Sequence, residues 1–212
     1  QDKLRKEHAA NPFSEGERFK VTGYLSKLVW QSIQEMFDKP TQCMKYLQGV
    51  AKVLTKAGKD VAWTAPSGFP VLQHYTKQTS KSDSTKIAGE ATWVNFRDST
   101  DELSVARAKQ GISPNFVHSL DASILTRTVN EANSLGIWDF ACIHDSFGTH
   151  STRSQDLANA IRKSASEIFS VDLLRKFDDT LRRSDPELEY PELPDYGTFD
   201  PTTVKHSQYL FS

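Results

Sequence analysis

Residues 140–150 read FACIHDSFGTH: four mostly apolar residues, then His144-Asp145-Ser146, then Phe147 and Gly148. Apolar residues suited to a buried strand run directly into an imidazole and a carboxylate, and a second short β-prone segment follows at once. This order predicts a hairpin with Asp145 at or beside its tight turn, where a carboxylate faces outward from a rigid support. An ordinary hairpin with a polar turn accounts for the same residues equally well, so the surrounding chain must decide.

Just upstream, Ser113-Pro114 reads as a helix start, a capping hydroxyl followed by proline at the first helical position, with apolar Phe116, Val117, Leu120, Ile124 and Leu125 after it. This helix is expected to run to about residue 135, with Gly136 at its C-cap. It carries His118 and Asp121, whose spacing of three puts them side by side on one face. A lone histidine on a helix is more often structural than catalytic, so His118 needs a partner before it means anything. Downstream, helices are expected over 153–170 and on to about 183. The Pro- and acid-rich segment that follows, PELEYPELPDYGTFDP, should lie extended on the surface, and the aromatic ending KHSQYLFS should dock.

Further upstream, residues 1–18 read as a polar lead-in. Apolar positions at helical spacing over 19–37 predict an amphipathic helix ended near Lys39-Pro40, and Thr41 caps a second, antiparallel helix that runs to Lys56 and stops at Gly58. The period then changes. Residues 61–64 and 69–75 are β-prone and flank the turn Ala65-Pro66-Ser67-Gly68, which predicts a hairpin. A polar tract, TKQTSKSDSTK, precedes a β-prone run at 91–96. A second, longer hairpin is expected, with the tract and its Lys77, Lys81 and Lys86 at the tip. Such a tip is either a surface loop or a nucleic-acid probe, since Lys, Ser and Thr reach phosphates and base edges.

Composition sets wide bounds. The 212 residues are 37% hydrophobic, with 26 Lys+Arg against 27 Asp+Glu. Residues 1–110 hold 17 bases against 12 acids and residues 111–212 hold 9 against 15, so a basic half faces polyanions more readily than an acidic one. Cys43 and Cys142 are far apart and form no zinc spacing, which points to a reducing compartment. No apolar run approaches the roughly 18 residues of a membrane span, and the first residues do not look like a signal peptide, so a soluble, intracellular chain without membrane partners is expected.

Asp145 suits a hard divalent cation held together with substrate phosphates, because magnesium takes one or two carboxylates plus phosphate and water. The nearby strand carboxylate, Asp139, lies six residues upstream, which at about 3.3 Å per residue places it roughly 20 Å away, too far to share a metal. A two-metal centre needs ions about 4 Å apart and at least one further acidic bridge. These residues therefore supply at most half a site.

Two motifs, GISPNFVHSLDAS (111–123) and CIHDSFGTH (142–150), strongly resemble the single-subunit DNA-directed RNA polymerases of bacteriophages and mitochondria. TGYLSKLVWQSI (22–33) resembles a fingers helix of that family, TAPSGFPVLQHY (64–75) the strand ahead of its specificity hairpin, and KHSQYLFS its C-terminal foot. The resemblance implies an α+β fold, the C-terminal fingers and palm portion of a right-hand polymerase. Its implied divisions are a lead-in at 1–18, fingers helices at 19–60, a hairpin region at 61–110, palm helix, catalytic hairpin and following helices at 111–184, and a tail or foot at 185–212. It implies that Asp145 binds catalytic Mg2+, that His144 shapes the site beside it, and that His118 faces the primer-template end. Ser119 and Asp121 match less diagnostic positions. Lys77, Lys81, Ser82 and Lys86 become candidates for contacts to promoter DNA.

The resemblance also implies a DNA template, an RNA product and ribonucleoside triphosphates. The family's second metal-binding Asp and its nucleotide-selecting Lys/Tyr helix are not found in these residues. The expectation is therefore one subunit or fragment of a split phage enzyme, completed by a second polymerase chain and inactive alone, in the cytoplasm of an infected bacterial host, with the mitochondrial matrix as the alternative. A related DNA-synthesising polymerase, or a non-catalytic subunit that binds DNA or protein, are the rival readings.

Overall fold

A capping box opens the first helix: the Glu17 carboxylate accepts from the Ser14 backbone N–H at 2.9 Å and from its hydroxyl at 2.6 Å. The Ser-x-x-Glu spacing that does this lies inside the stretch read as lead-in, so the helix begins earlier than expected. The computed structural model describes residues 14–87, 90–143 and 145–207. The first thirteen residues, the end of the KHSQYLFS foot and His144 lie outside the described residues. Two compact units divide the chain, 1–44 and 45–212.

In the first unit, α1 (Glu15–Met36) ends at Phe37, and α2 (Asp38–Lys56) begins directly after it and continues into the second unit. Pro40 does not separate the two helices. It sits in the first turn of α2, where its missing N–H has no intrahelical acceptor to serve, so Thr41 is an interior residue and not a cap. Most apolar residues of α1 are open to solvent, with Tyr24, Val29 and Met36 at 63%, 58% and 76%.

In the second unit, α2 buries Tyr46, Leu47, Val50, Ala51 and Leu54, and the chain turns at Gly58, whose φ of 73° favours glycine. Strands β1 (Val61–Thr64) and β2 (Pro70–Gln73) pair antiparallel as expected, with Gly68 at φ 88° in the turn. The polar tract is not a tip. It is itself strand β3 (Thr76–Ile87), paired over its length with β4 (Glu90–Leu103), so Lys77 and Lys81 lie along the ribbon and Lys86 near its end. The tract has no apolar alternation because no core covers it, which hides a strand from period-2 reading.

Helix α3 (Val105–Ser134) starts nine residues before the expected Ser113-Pro114. Ser104 is the cap, its hydroxyl accepting from the Arg107 N–H, while Ala108 and Ile112 are buried ahead of the proline. Packing of those two residues outweighs the one helical hydrogen bond that Pro114 cannot make. The Ser113 hydroxyl, expected as a cap, is buried with no partner among the described residues. After Gly136 (φ 79°) come β5 (Ala141–Ile143) and β6 (Ser146–Gly148), then α4 (Ser154–Phe169) and α5 (Leu173–Ser184).

Three anchors hold this unit. Trp63, Phe116 and Phe177 form an aromatic cluster with ring centroids 5.3–6.2 Å apart, joining β1, α3 and α5. Ala132, Ile137, Leu157 and Ala160 bury together, with Phe140, Phe147 and Ile161 packed on them. Ile124, Ala165 and Ile168 form the third, against which Leu173 and Val204 pack. The tail is irregular over 185–200, as expected, and lies on α2, where a Cβ on Gly49 would come within 3.0 Å of Pro191. The short 3-10 helix Pro201–His206 docks on α4, and Arg162 Nε donates to the Ser207 carbonyl at 2.7 Å.

Candidate active site

The site is built from one face of α3 and the turn of the short hairpin. His118, Asp121, Ala122 and Leu125 follow i, i+3, i+4, i+7 spacing, which aligns them in a stripe. Together with Ile124, Asp145 and Phe147 they line a cavity of about 460 Å³. On the next positions of the helix, Ser119 and Ser123 face the core. The Ser119 hydroxyl accepts from Trp63 Nε1 at 3.0 Å and donates to the Phe116 carbonyl at 2.7 Å, so this serine is engaged inside the fold.

Asp145 occupies the turn between β5 and β6, where the register pairs Ile143 with Ser146 and Ala141 with Gly148. Its carboxylate is exposed, and no hydrogen bond or ion pair engages it among the described residues. Support comes from behind: Phe147 and Phe140 pack on the α3–α4 cluster, and the Thr149 hydroxyl donates to the Asp139 carbonyl at 2.9 Å. Asp139 stands at the base of the hairpin, 3.5 Å from His150 Nε2, away from the turn as the strand length predicted.

A second, more open cavity of about 790 Å³ adjoins the first and shares His118 and Ala122 with it. Phe69 and Leu72 from the β1–β2 hairpin line it, 69% and 65% exposed, with Asn115 and Thr126 from α3. His118 thus stands on the ridge between two cavities.

The carboxylates in the first cavity are oxygen donors of the kind a hard cation takes. Two carboxylates, Asp145 and Asp121, border one solvent-open space large enough for phosphate oxygens, and magnesium uses few protein ligands beside substrate and water. Among the described residues, no group of three or more His, Cys, Asp or Glu could hold a metal by itself. Sequence reasoning missed Phe147 as a wall of this cavity and Leu125 as part of the stripe. The first could have been found from its place two residues after the carboxylate, the second from its spacing of seven from His118.

Of the expected DNA contacts, Lys77 is paired with Glu102, Lys81 Nζ is 3.9 Å from an Asp98 oxygen, and the Ser82 hydroxyl donates to Asn95 Oδ1. Lys86 is exposed opposite Ala91.

A long helix and a carboxylate-bearing hairpin border one cavity, and comparison with known proteins gives the family. The profile described as DNA-dependent RNA polymerase matches residues 1–186, and the chain belongs to that family. It is 30% identical over 198 residues to DNA-directed RNA polymerase 1, mitochondrial, of Nicotiana sylvestris, and 31% identical over 198 residues to DNA-directed RNA polymerase 2, chloroplastic/mitochondrial, of Arabidopsis thaliana. Each alignment covers 93% of this chain and 19% of the relative. A third, DNA-directed RNA polymerase 2A of Nicotiana tabacum, is 30% identical over 198 residues, 93% of this chain and 58% of its own. The chain thus spans about a fifth of the length of the first two relatives. Relatives named for plant mitochondria and chloroplasts overturn the expected bacterial-host cytoplasm. They also leave the DNA-synthesising reading without support. No described helix is long and apolar enough to cross a membrane.

Proposed function

We propose that this chain supplies the C-terminal portion of a DNA-directed RNA polymerase that works in an organelle: fingers helices at 19–60, a promoter-reading hairpin region at 61–110, the palm at 111–184 and a foot at 185–212. The reaction is attack of an RNA 3′-hydroxyl on the α-phosphate of a ribonucleoside triphosphate, forming the phosphodiester bond and releasing pyrophosphate, on a DNA template. The convergence of Asp145, Asp121 and His118 on one cavity carries this reading. Asp145 would hold Mg2+, which when bound supplies charge neutralisation for the phosphates. His144 precedes it in the motif, and its role follows from that motif alone. His118, on the ridge between the cavities, orients the nucleic-acid end. Asp121 faces the same space and holds water or a second oxygen contact there.

The other metal-binding Asp and the Lys/Tyr helix come from polymerase sequence outside these residues, which alone extend no RNA. Asp145→Asn in the assembled enzyme should lower synthesis on a primed DNA template by roughly 10²-fold or more, with DNA affinity kept within about 3-fold. Parallel loss of both would make Asp145 a structural residue, and RNA synthesis by the purified 212-residue chain would refute the need for a partner.

A further inference from the structure

A cavity of about 460 Å³ lies between the β1–β2 turn, α3, the end of α4 and α5, and shares no lining residue with the Asp145 cavity. Leu173, Lys176, Phe177 and Thr180 follow i, i+3, i+4, i+7 spacing, so α5 turns one face to it. Its floor is the aromatic cluster of Trp63, Phe116 and Phe177, extended by Leu120 and Ile168. Trp63 donates its indole N–H to the Ser119 hydroxyl, which leaves ring carbon to face the cavity. Charge reaches the lining at three side chains: Arg127 of α3, Glu167 of α4 and Lys176 of α5. Glu167 is the single acid of the lining, and Arg127 is paired with it. Lys176 is exposed, and no ion pair or hydrogen bond engages its ammonium among the described residues. The nearby acids Asp172 and Asp178 are held by Arg175 and Arg182, and Asp179 does not line the cavity. The Thr180 hydroxyl donates to the Lys176 carbonyl at 2.8 Å, so the Lys176 ammonium is the unpaired cation of this lining.

From this combination we propose that the cavity binds an amphipathic organic anion, an aromatic or aliphatic body that carries a single acidic group. The body lies on the ring floor and Lys176 takes the acid. An apolar cavity with a few placed polar groups is the form that small-molecule sites take, and this one is of the usual size. The sign follows from the lining: Arg127 and Lys176 against Glu167 leave one positive charge, which favours an anion over a cation of the same shape. One surplus charge is too little for a triphosphate, whose remaining charges would be desolvated without partners, so this ligand is distinct from the ribonucleotides of the proposed reaction. The aromatic floor is already assembled, with Phe116 and Phe177 centroids 5.3 Å apart, so binding needs little reorganisation beyond the Lys176 side chain. The proposal stands on this cavity and does not depend on the polymerase reading.

The test is fluorescence titration of the assembled polymerase with 1-anilinonaphthalene-8-sulfonate, which joins an aromatic body to one anionic group. Saturable binding is expected. Lys176→Glu should weaken it by about 10-fold or more, whereas Lys176→Arg should keep it within about 3-fold. N-phenyl-1-naphthylamine, the same rings without the sulfonate, should bind the Lys176→Glu variant and the unsubstituted enzyme alike. Absence of saturable sulfonate binding would mean that polymerase sequence outside these residues fills the cavity, and the proposal falls. Sulfonate binding indifferent to Lys176→Glu would place the anion elsewhere. Equal weakening of both probes by Lys176→Glu would mean that the substitution closes the cavity and that Lys176 is no charge partner. Either result overturns the assignment.

Discussion

The two hairpins that matter most are built on opposite physical plans. The short one, β5–β6, has strands of three residues and is held from behind by Phe140 and Phe147 on the cluster of Ala132, Ile137, Leu157 and Ala160. The long one, β3–β4, has strands of 12 and 14 residues, with side chains largely in solvent, and is fixed at its base. There the Ser104 N–H donates to the Tyr75 carbonyl at 2.7 Å and Arg107 reaches the Thr76 carbonyl at 3.0 Å. Arg107 also lies over the Tyr75 ring at 5.3 Å, while Asn115 donates to the Tyr75 hydroxyl at 3.1 Å. Under the proposed function, the packed hairpin holds the carboxylate still for chemistry on a phosphate, and the base-clamped ribbon keeps the freedom to fit DNA.

The strongest way to break this comparison is to remove the packing under the short hairpin. Phe147→Ala takes a half-buried ring off the α3–α4 cluster and opens the wall of the Asp145 cavity. Full burial of phenylalanine would put the cost at 3–5 kcal/mol, so about 2 kcal/mol is expected here, read from urea unfolding of the chain. Hydrogen exchange should accelerate over 141–148 and stay constant over 78–99. If the short hairpin keeps its protection, Phe147 does not anchor it.

The counterpart at the long hairpin is Gly111→Ala. A Cβ at this helical position would stand 2.6 Å from Cε2 and 3.0 Å from the hydroxyl of Tyr75, so the ring must move. Overpacking of this kind costs about 1–2 kcal/mol. The displaced ring loses its Asn115 hydrogen bond and its place under Arg107, which should loosen 76–103 while leaving 141–148 protected. Tyr75→Ala alone removes the same contacts, so the double variant should be no worse than Tyr75→Ala, a coupling that a double-mutant cycle measures.

The same contrast explains what could be read in advance. The short hairpin was legible because an apolar run is interrupted by charged residues at a turn. Its Ala141, Cys142 and Ile143 are nonetheless exposed and do not form the buried strand expected, the hairpin being anchored by Phe140 and Phe147 instead. Helices α4 and α5 were legible from their apolar spacing. The long ribbon was misread as strand, tip and strand, since a two-sided polar ribbon has no apolar alternation to mark its register. The start of α3 was misplaced because Ser113-Pro114 is the stronger local signal, while the actual cap at Ser104 depends on Ala108 and Ile112 finding partners far away in sequence. The site was half legible: His118 and Asp121 could be placed on one face of a helix, but that this face meets Asp145 is a tertiary fact. The buried pair of Tyr46 and Asp178, 2.7 Å apart between α2 and α5, has no local signature at all.

The smallest expected effect lies in the charges along the long ribbon. Lys77 on β3 pairs with Glu102 on β4, and the Lys77 ammonium, by hydrogen bonding and by its charge, holds the Glu102 carboxyl below its ordinary value of 4.5. Because the folded form binds the proton less readily, the pair contributes stability that is present above pH 4.5 and is lost as pH falls through the lowered folded value. Both side chains are more than half exposed, at 60% and 72%, so water and salt screen the pair and its contribution is slight. Carbon-detected titration of Glu102 should show the lowered midpoint, and Lys77→Met should return it to the ordinary range without a measurable change in urea midpoint at pH 7. A large loss of stability in Lys77→Met would mean that the ribbon depends on its surface charges rather than on Tyr75 and Arg107 at its base, and the contrast between a packed hairpin and a clamped one would have to be redrawn.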